Sequence, residues 1–290
     1  MELTKKPQWI RLKVPSGVNY TSVKHTLKEL ELHTVCEEAK CPNISECWGT
    51  GTATIMIMGN ICSRGCRFCS VTSGVPGILD QKEPENVAIA IKKWGLNYVV
   101  ITSVCRDDLE DGGAGHIAKT IEMIRSHCPR TLVEALIPDF RGDEGAISKV
   151  VAAGPNVISH NIETVARLSP NVRDTRATYS QSLLVLKKIK DLDSKVYTKS
   201  SLMLGLGEQE DEVFDALSDL RSIRVSILTI GQYLQPSSRH LPVVRYITPE
   251  MFDWFAQEAK RMGFAYVASG PLVRSSYRAG EFFNRSLGSQ

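Results

Sequence analysis

The chain has 290 residues, of which 42% are hydrophobic, and this is enough to build one large domain or a domain with extensions at both ends. Its formal net charge is +3, from 35 basic and 32 acidic residues, and no basic run or aromatic-interleaved basic stripe is visible, which argues against a general nucleic-acid-binding surface. The longest apolar runs are strand-sized, far below the roughly 18–20 residues needed to span a bilayer, so no membrane partner is expected.

The first 51 residues are polar, with one predicted helix over residues 22–32 and three cysteines. Residues 1–13 lack the apolar core of a secretory signal, so a cytoplasmic location is predicted. Six of the eight cysteines lie between Cys36 and Cys69. Because disulfides rarely persist in the cytosol and a chain of this length can build its own core, these clustered thiols favour a metal or cluster site over a disulfide framework.

From residue 52 onward the chain alternates between strand-like and helix-like segments. The predicted strands cover residues 52–58, 98–102, 131–137, 156–159, 196–204 and 225–230. The predicted helices cover residues 84–94, 115–127, 144–153, 179–192, 210–221 and 249–262, followed by a short strand at 264–268. The pattern predicts an N-terminal extension (1–51), a βα-repeat domain (52–268) and a polar C-terminal tail (269–290).

Six βα repeats with mostly apolar strands indicate a parallel sheet covered by helices. The segments richest in chemistry follow the strands, at residues 59–69, 102–113, 160–163 and 231–236. Functional residues at the carboxyl ends of strands are typical of barrels, but open doubly wound sheets share this property. The pattern alone therefore leaves both architectures open.

Three cysteines, Cys62, Cys66 and Cys69, lie within eight residues directly after the first predicted strand. Each thiolate can bind one iron of a cubane cluster, and since no fourth cysteine follows, one iron is left for an exogenous ligand. A zinc site is the alternative, but the three upstream cysteines, with gaps of four and five residues, fit the second knuckle of such a site poorly. Cys105 and Cys128 stand alone in the sequence, and we interpret both as bystanders.

The CxxxCxxC spacing after the first strand of a βα repeat resembles the signature of the radical S-adenosylmethionine superfamily. This resemblance implies a partial (β/α)6 barrel of the TIM type, with a [4Fe–4S] cluster on Cys62, Cys66 and Cys69. In that superfamily the open iron chelates the amino and carboxylate groups of S-adenosylmethionine, and reductive cleavage releases a 5′-deoxyadenosyl radical. Phe68 matches the aromatic position of that superfamily near which the backbone approaches adenine. The alternative is that the Phe68 side chain only packs against its neighbours.

The spacing of Cys36, Cys41 and Cys47, combined with the downstream motif, resembles the lipoyl synthase family in particular. Further similar blocks are TSVCRDDLEDGGA from Thr102, HNIETV from His160, GQYLQP from Gly231 and RSSYRAG from Arg274, so the resemblance covers essentially the whole chain. It implies a second [4Fe–4S] cluster on the three upstream cysteines, with Ser275 as the fourth ligand. It also implies that the N- and C-terminal extensions meet over the mouth of the barrel. The alternative for the tail motif is a solvated loop.

Polar residues at the other strand ends are candidates for binding S-adenosylmethionine. Asn161 and Glu163 follow the fourth strand on alternate residues, so both can face one site. Thr102 and Ser103 follow the second strand, and Arg176 is a candidate ligand for the cofactor's carboxylate or for the substrate. Each of these residues has a structural alternative as a helix cap or a member of a surface ion pair.

The family resemblance implies a sulfurtransferase that inserts two sulfur atoms at C6 and C8 of an octanoyl group amide-linked to a carrier lysine. Two S-adenosylmethionine molecules would be consumed, and the second cluster would be sacrificed as the sulfide source. Alkyl C–H bonds are not acidic, which explains a chain rich in cluster ligands without a His–carboxylate pair.

The implied partners are octanoylated carrier domains (2-oxoacid dehydrogenase E2 subunits and the glycine cleavage H protein), an electron donor such as ferredoxin or flavodoxin, and an iron–sulfur carrier that rebuilds the cluster. Two alternatives remain open at this point. One is another two-cluster radical enzyme such as a methylthio-transferase, and the other is a non-catalytic iron–sulfur or zinc scaffold.

Overall fold

The computed structural model describes residues 6–10, 18–49, 53–277 and 279–281. The predicted boundary between residues 51 and 52, residue 278 of the tail motif and tail residues 282–290 lie outside these ranges, and the predicted domain limits remain predictions. Within the described ranges, no helix combines the length and the apolar character that a membrane span requires.

The N-terminal extension folds into short elements that lead to the barrel. They are α1 (Val18–Glu29), β1 (His33–Thr34), α2 (Val35–Glu38) and α3 (Ile44–Gly49). The predicted helix is present, but it ends at Glu29 because Glu31 takes a left-handed conformation (φ 53°) and turns the chain toward β1. Thr34 then caps α2, since its side chain accepts a hydrogen bond from the Glu37 N–H.

All predicted strands and helices of the βα region are present, with small differences at their ends. The strands are β2 (Thr54–Ile57), β3 (Ile61–Cys62), β4 (Thr72–Ser73), β5 (Tyr98–Ser103), β6 (Leu132–Leu136), β7 (Val157–Ser159), β8 (Tyr197–Leu204), β9 (Ile227–Gln232) and β10 (Tyr266–Gly270). The helices are α4 (Glu83–Trp94), α5 (Ala114–His127), α6 (Glu144–Ala152), α7 (Ser169–Val172), α8 (Tyr179–Leu192), α9 (Glu210–Ser222) and α10 (Pro249–Arg261), with a 3₁₀ turn at Phe140–Gly142.

The strand order decides between the two architectures that the sequence left open. The main sheet runs β1-β2-β5-β6-β7-β8-β9-β10, and every neighbouring pair is parallel except β1 with β2. A doubly wound sheet reverses its strand order at a switch point, whereas here each strand simply follows the previous one. The predicted partial barrel is therefore confirmed, with six βα units, a seventh parallel strand and a short antiparallel strand at its N-terminal edge.

A buried polar network links four neighbouring strands of the barrel, β5 to β8. The Glu134 carboxylate accepts hydrogen bonds from Lys199 Nζ at 2.9 and 3.0 Å, Tyr98 Oη at 2.6 Å and Ser159 Oγ at 2.6 Å. Because every donor is satisfied by the same carboxylate, the ion pair escapes the penalty of an isolated buried charge. Side chains alternate along a strand, so Leu136, two residues beyond Glu134 on β6, also faces the interior, closer to the carboxyl end where the site lies.

Candidate active site

The CxxxCxxC loop leaves the barrel through a tight turn at the end of β2. Met58 and Gly59 both have positive φ, 68° and 83°, and this reverses the chain before β3. β3 pairs with β4 in a short parallel ribbon, and the Gly74 N–H donates to the Cys62 carbonyl at 2.9 Å. The loop of Cys62–Cys69 is thereby closed at its base, which places its three thiols together at the mouth of the barrel.

Arg64 anchors this loop to the next two strand ends. Its guanidinium donates to both carboxylate oxygens of Asp107, at 2.7 and 2.9 Å, and to both of Asp139, at 2.7 and 2.8 Å. The side chains of Arg64 and Asp139 are only 3% and 1% exposed. Hydrogen bonds from Arg64 lower the pKa of the Asp107 carboxyl, so the ion pairs persist at neutral pH.

Two of the loop's sulfur atoms receive backbone hydrogen bonds. The Cys62 Sγ accepts from the N–H groups of Cys105 at 3.3 Å and Arg64 at 3.5 Å, and the Cys66 Sγ accepts from the Asp174 N–H at 3.3 Å. The Cys105 thiol also hydrogen-bonds to Cys62, and this lowers the pKa of the Cys62 thiol. Cys105 therefore contacts a predicted cluster ligand and is not the bystander that its isolation in the sequence suggested.

The third thiol, Cys69, is held by a different part of the chain. His240, in the loop after β9, lies with its Nε2 3.0 Å from the Cys69 carbonyl oxygen and its Nδ1 2.8 Å from Ser237 Oγ. Burial raises the pKa of the Cys69 thiol to about 12.

The three upstream cysteines lie on and between α2 and α3. Cys36 is buried in α2, the Cys41 N–H donates to the Cys36 carbonyl at 3.0 Å, and the Cys47 N–H donates to the Asn43 carbonyl at 2.9 Å. Burial raises the pKa of Cys36 to about 11. Within the described residues, no three Cys, His, Asp or Glu side chains converge tightly enough to hold a single metal ion.

The C-terminal tail crosses the mouth of the barrel and meets this cysteine segment. Asn43 Nδ2 donates to the Leu272 carbonyl at 2.6 Å, and Tyr277 Oη donates to Glu46 Oε1 at 3.0 Å. The tail can approach β9 because Gly231 has no side chain, since a Cβ there would lie 2.1 Å from the Val273 carbonyl oxygen. The described parts of the two extensions therefore meet at the mouth of the barrel, as expected from the predicted fold class.

One cavity of about 890 Å³ collects nearly all of the predicted site residues. It is lined by the predicted cluster ligands and cofactor-binding residues Cys36, Cys41, Cys47, Cys62, Cys66, Cys69, Ser275, Phe68, Thr102, Ser103, Asn161 and Glu163. Residues separated by more than 230 positions thus line one cavity.

Two polar atoms in the cavity wall have no partner within the described part of the chain. They are Ser103 Oγ and Asn161 Oδ1, both of them buried. The amide of Asn161 donates to Glu163 Oε1 at 3.0 Å, while Glu163 has a positive φ of 67° that turns its backbone at the end of β7. Buried polar atoms without partners are costly, so this wall fits a polar ligand that supplies the missing hydrogen bonds.

Arg176 lies away from the cavity wall. Its guanidinium pairs with Asp174 at 2.8 Å and Asp107 at 3.2 Å and donates to the Ser63 carbonyl at 2.8 Å, and its side chain is 47% exposed. These contacts fasten the outside of the cysteine loop. These contacts occupy the N–H donors of Arg176 that would bind the cofactor's carboxylate. The position of Arg176 therefore does not support its predicted role as a ligand of that carboxylate.

Arg173, which the sequence interpretation missed, is the buried arginine of this segment that lines the cavity. Its Nη1 donates to Ser182 Oγ at 2.8 Å and to the Ile162 carbonyl at 3.4 Å. Burial raises the pKa of Glu163, and the positive charge of Arg173 acts in the opposite direction. The same charge also acts on Cys66. In the sequence, the available signal was only a pair of arginines three positions apart. Their spacing does not show which of the two side chains points into the cavity.

Comparisons with known families match most of the chain. Residues 56–220 match the model of the radical SAM superfamily, and residues 1–41 match the N-terminal domain of lipoyl synthase. The lipoyl synthase of Anaeromyxobacter dehalogenans is 57% identical over 282 residues, covering 97% of this chain and 96% of that protein.

Relatives from eukaryotes align equally well. The mitochondrial lipoyl synthase of Homo sapiens is 54% identical over 292 residues, covering 99% of this chain and 78% of that protein. The apicoplast lipoyl synthase of Plasmodium knowlesi is 55% identical over 284 residues, and the alignment spans 98% of this chain but 64% of that protein. The chain is thus shorter than two thirds of the Plasmodium relative.

Solved structures share the fold at low sequence identity. Methylornithine synthase superposes with a TM-score of 0.52 at 11% identity, covering 80% of this chain and 68% of that one. The FeFe-hydrogenase maturase HydG from Carboxydothermus hydrogenoformans superposes with a TM-score of 0.57 at 12% identity, covering 92% and 78%. These likenesses support the partial barrel.

Proposed function

Because the chain belongs to the lipoyl synthase family of the radical S-adenosylmethionine superfamily, we propose that it converts a protein-bound octanoyl-lysine into lipoyl-lysine by inserting sulfur at C6 and C8. The observation that carries this proposal is the single cavity shared by both cysteine triplets, Ser275 and the polar strand ends. A radical formed at one wall can then reach a substrate and a sulfur source without leaving the cavity.

The groups that would be bound supply the hard chemistry: S-adenosylmethionine on the first cluster is the source of the radical, and the second cluster is the source of sulfur. Cys62, Cys66 and Cys69 would hold the first cluster. Hydrogen bonds to two of these sulfurs and the anchoring of Arg64 keep the loop in place. The chain's own task here is to hold the thiolates and to exclude water.

S-adenosylmethionine would be bound by the wall between β5 and β8. We assign its amino group to Glu163 and its carboxylate to Arg173, because both residues line the cavity and the charge of Arg173 acts on both Glu163 and Cys66. Ser103 and Asn161 supply unpaired polar atoms for the remaining groups. Phe68 and Thr102 line the same cavity, so Phe68 remains a candidate contact of the adenine and Thr102 a candidate ligand of S-adenosylmethionine.

Cys36, Cys41 and Cys47, with Ser275 as the fourth ligand, would hold the second cluster. The tail's contacts with the cysteine segment bring Ser275 to the cavity wall that these thiols share. An alkoxide binds iron through a hard, protonatable oxygen, so it can leave more readily than a thiolate when the cluster is dismantled. Apolar side chains deeper in the barrel, among them those of Val100 and Leu136, offer a surface for the octanoyl chain.

The partners follow from this reaction and are part of the proposal: octanoylated carrier domains of E2 subunits and H protein, ferredoxin or flavodoxin as the electron donor, and an iron–sulfur carrier. The cytoplasmic location stays a prediction, since relatives named for mitochondria and apicoplasts align equally well. Neither a methylthio-transferase nor a non-catalytic scaffold is supported by the relatives found.

The proposal is tested by anaerobic incubation with S-adenosylmethionine, a reductant and an octanoyl-lysyl peptide. The unsubstituted chain is expected to produce 5′-deoxyadenosine and a peptide that gains two sulfur atoms. Cys62→Ala should abolish both products, while Cys36→Ala should retain 5′-deoxyadenosine and lose sulfur insertion. Cys128→Ala is the matched control, since Cys128 does not line the cavity.

Iron analysis separates the competing explanations. About eight irons per chain support two cubanes, and about four would leave only one. If the unsubstituted chain produces 5′-deoxyadenosine but never a sulfur-containing peptide, the assignment to sulfur insertion is wrong even though radical formation stands.

A further inference from the structure

Arg274, the first residue of the tail motif, places a positive charge in the wall of the cavity. It lies beside Ser275, and its charge acts on the Cys41 thiol across the space between the tail and α2. Arg274 is partly buried there, and this burial lowers its pKa. The guanidinium thus shares the cavity wall with the upstream cysteines.

This guanidinium has no carboxylate partner within the described residues. Its hydrogen bond is from Nη1 to the carbonyl of its own neighbour, Val273, at 2.7 Å. Two buried arginines near the cysteine loop do have carboxylate partners, since Arg64 pairs with two carboxylates and Arg106 pairs with Asp108 at 2.7 Å. A partly buried cation that lacks a counter-charge attracts an anion, so an anion is expected at this point of the cavity.

The backbone holds Arg274 in this position. The Tyr277 N–H donates to the Arg274 carbonyl at 2.9 Å, which closes a turn, and Tyr277 Oη reaches Glu46 on α3. On the other side, a Cβ at Gly231 would come within 3.4 Å of the Arg274 Nη1, so the guanidinium lies against the end of β9. Contacts from α3 and β9 therefore hold this part of the tail in place at the cavity wall.

A cubane held by three thiolates and an alkoxide carries net negative charge. We propose that Arg274 is a positioning residue whose guanidinium supplies the counter-charge of the second cluster and so holds both the cluster and the tail ligand in place. This inference rests on the proposed second cluster at Cys36, Cys41, Cys47 and Ser275. It adds the electrostatic reason why the tail must close over the cysteine segment.

The experiment compares full-length Arg274→Gln and Arg274→Lys, with Arg130→Gln on the exposed surface as the matched loss of charge. Melting temperatures are measured anaerobically for the chain loaded with iron and sulfide and for the same chain after iron chelation. In the loaded chain, Arg274→Gln should lower the melting temperature. In the cluster-free chain the same substitution should raise the melting temperature or leave it unchanged, because it removes a partly buried charge that has no counter-charge.

The midpoint potential of the second cluster is measured in a Cys62→Ala background, which removes the first cluster. Loss of a neighbouring cation should make this potential more negative, and Arg274→Lys should restore much of the shift. A merely structural arginine would lower the melting temperature in both states and leave the potential unchanged, and either result overturns the proposal. An Arg274→Gln chain that fails to fold without clusters also overturns the proposal.

Iron content distinguishes this failure from failure of the proposed function. An unsubstituted chain with about four irons overturns the second cluster itself and this inference with it. A chain with about eight irons and an Arg274→Gln variant of unchanged potential overturns only the role of Arg274.

Discussion

Asp139→Asn tests whether the cysteine loop is held by its buried ion pairs. Asp139 is 1% exposed, and both of its carboxylate oxygens accept from Arg64. One of them also accepts the Arg141 N–H at 2.9 Å. The asparagine side chain has nearly the same shape, but it replaces one acceptor with an NH₂ group that faces the guanidinium.

The magnitude follows from the hydrogen bond that the substitution removes. One charge-assisted hydrogen bond, worth roughly 1.5–3 kcal/mol, is replaced by two donors facing one another, while Asp107 still pairs with Arg64. The free energy of unfolding should therefore fall by about 2–4 kcal/mol. Because Arg64 lies between two predicted cluster ligands in the chain, the first cluster should also be lost more readily.

The assay is anaerobic urea denaturation of the cluster-free chain, followed by iron analysis of the loaded chain. Asp108→Asn is the matched control, since its pair with Arg106 is more exposed, with 38% of the Asp108 side chain accessible. Asp108→Asn should lower the free energy of unfolding by well under half as much as Asp139→Asn does. An Asp139→Asn chain that unfolds at the same urea concentration as the unsubstituted chain would refute the anchoring role of Arg64.

The same ion pairs predict a pH dependence. Burial would raise the pKa of Asp139, but the hydrogen bonds and charge of Arg64 hold it below the ordinary value of about 3.9. A carboxyl group whose pKa is lower in the folded chain than in the unfolded chain stabilises the folded state. This stabilisation is complete at pH values above the ordinary pKa, and it is lost as the pH falls through the folded pKa. Acid denaturation should begin at higher pH in a variant that lacks Arg64.

Three further substitutions probe other parts of the site. Cys105→Ala removes the thiol that hydrogen-bonds to Cys62, so the midpoint potential of the first cluster should become more negative. An unchanged potential in a redox titration would rule out this contact. His240→Ala removes a contact with the Cys69 carbonyl and should speed iron loss to a chelator severalfold, while His240→Gln, which keeps a donor, should be milder. Gly231→Ala forces a methyl group against the Val273 carbonyl of the tail, which should lower the free energy of unfolding by about 1–3 kcal/mol. The iron content should then drop toward that of one cluster, and retention of both clusters would show that the tail can shift.

The order and type of the secondary-structure elements could be predicted because they depend on local pattern. Apolar runs, the Pro249 and Thr248 signals at the start of α10 and the glycine after α4 all act over a few residues. The helix over residues 22–32 was displaced because the left-handed turn at Glu31 has no strong signature in the sequence. Barrel and open sheet could not be separated, since both present polar residues at strand ends.

The candidate ligands could be chosen from the sequence because their spacing and family resemblance mark them. The direction of each side chain could not. Arg173 and Arg176 lie in one short segment, yet the first lines the cavity and the second pairs with Asp174 on the outside. Only the packing of α7 and α8 against the barrel determines which arginine is buried.

By itself, the sequence determined which residues bring chemistry to this protein: two cysteine triplets, a serine-bearing tail and an ordered series of βα units. These features are local, so spacing and periodicity reveal them. The tertiary structure decided what they form together. Asn43 bonds to Leu272 and Arg64 pairs with Asp139 across long stretches of chain. No local pattern encodes such pairings, because they depend on how the sheet curves and where the tail crosses its mouth.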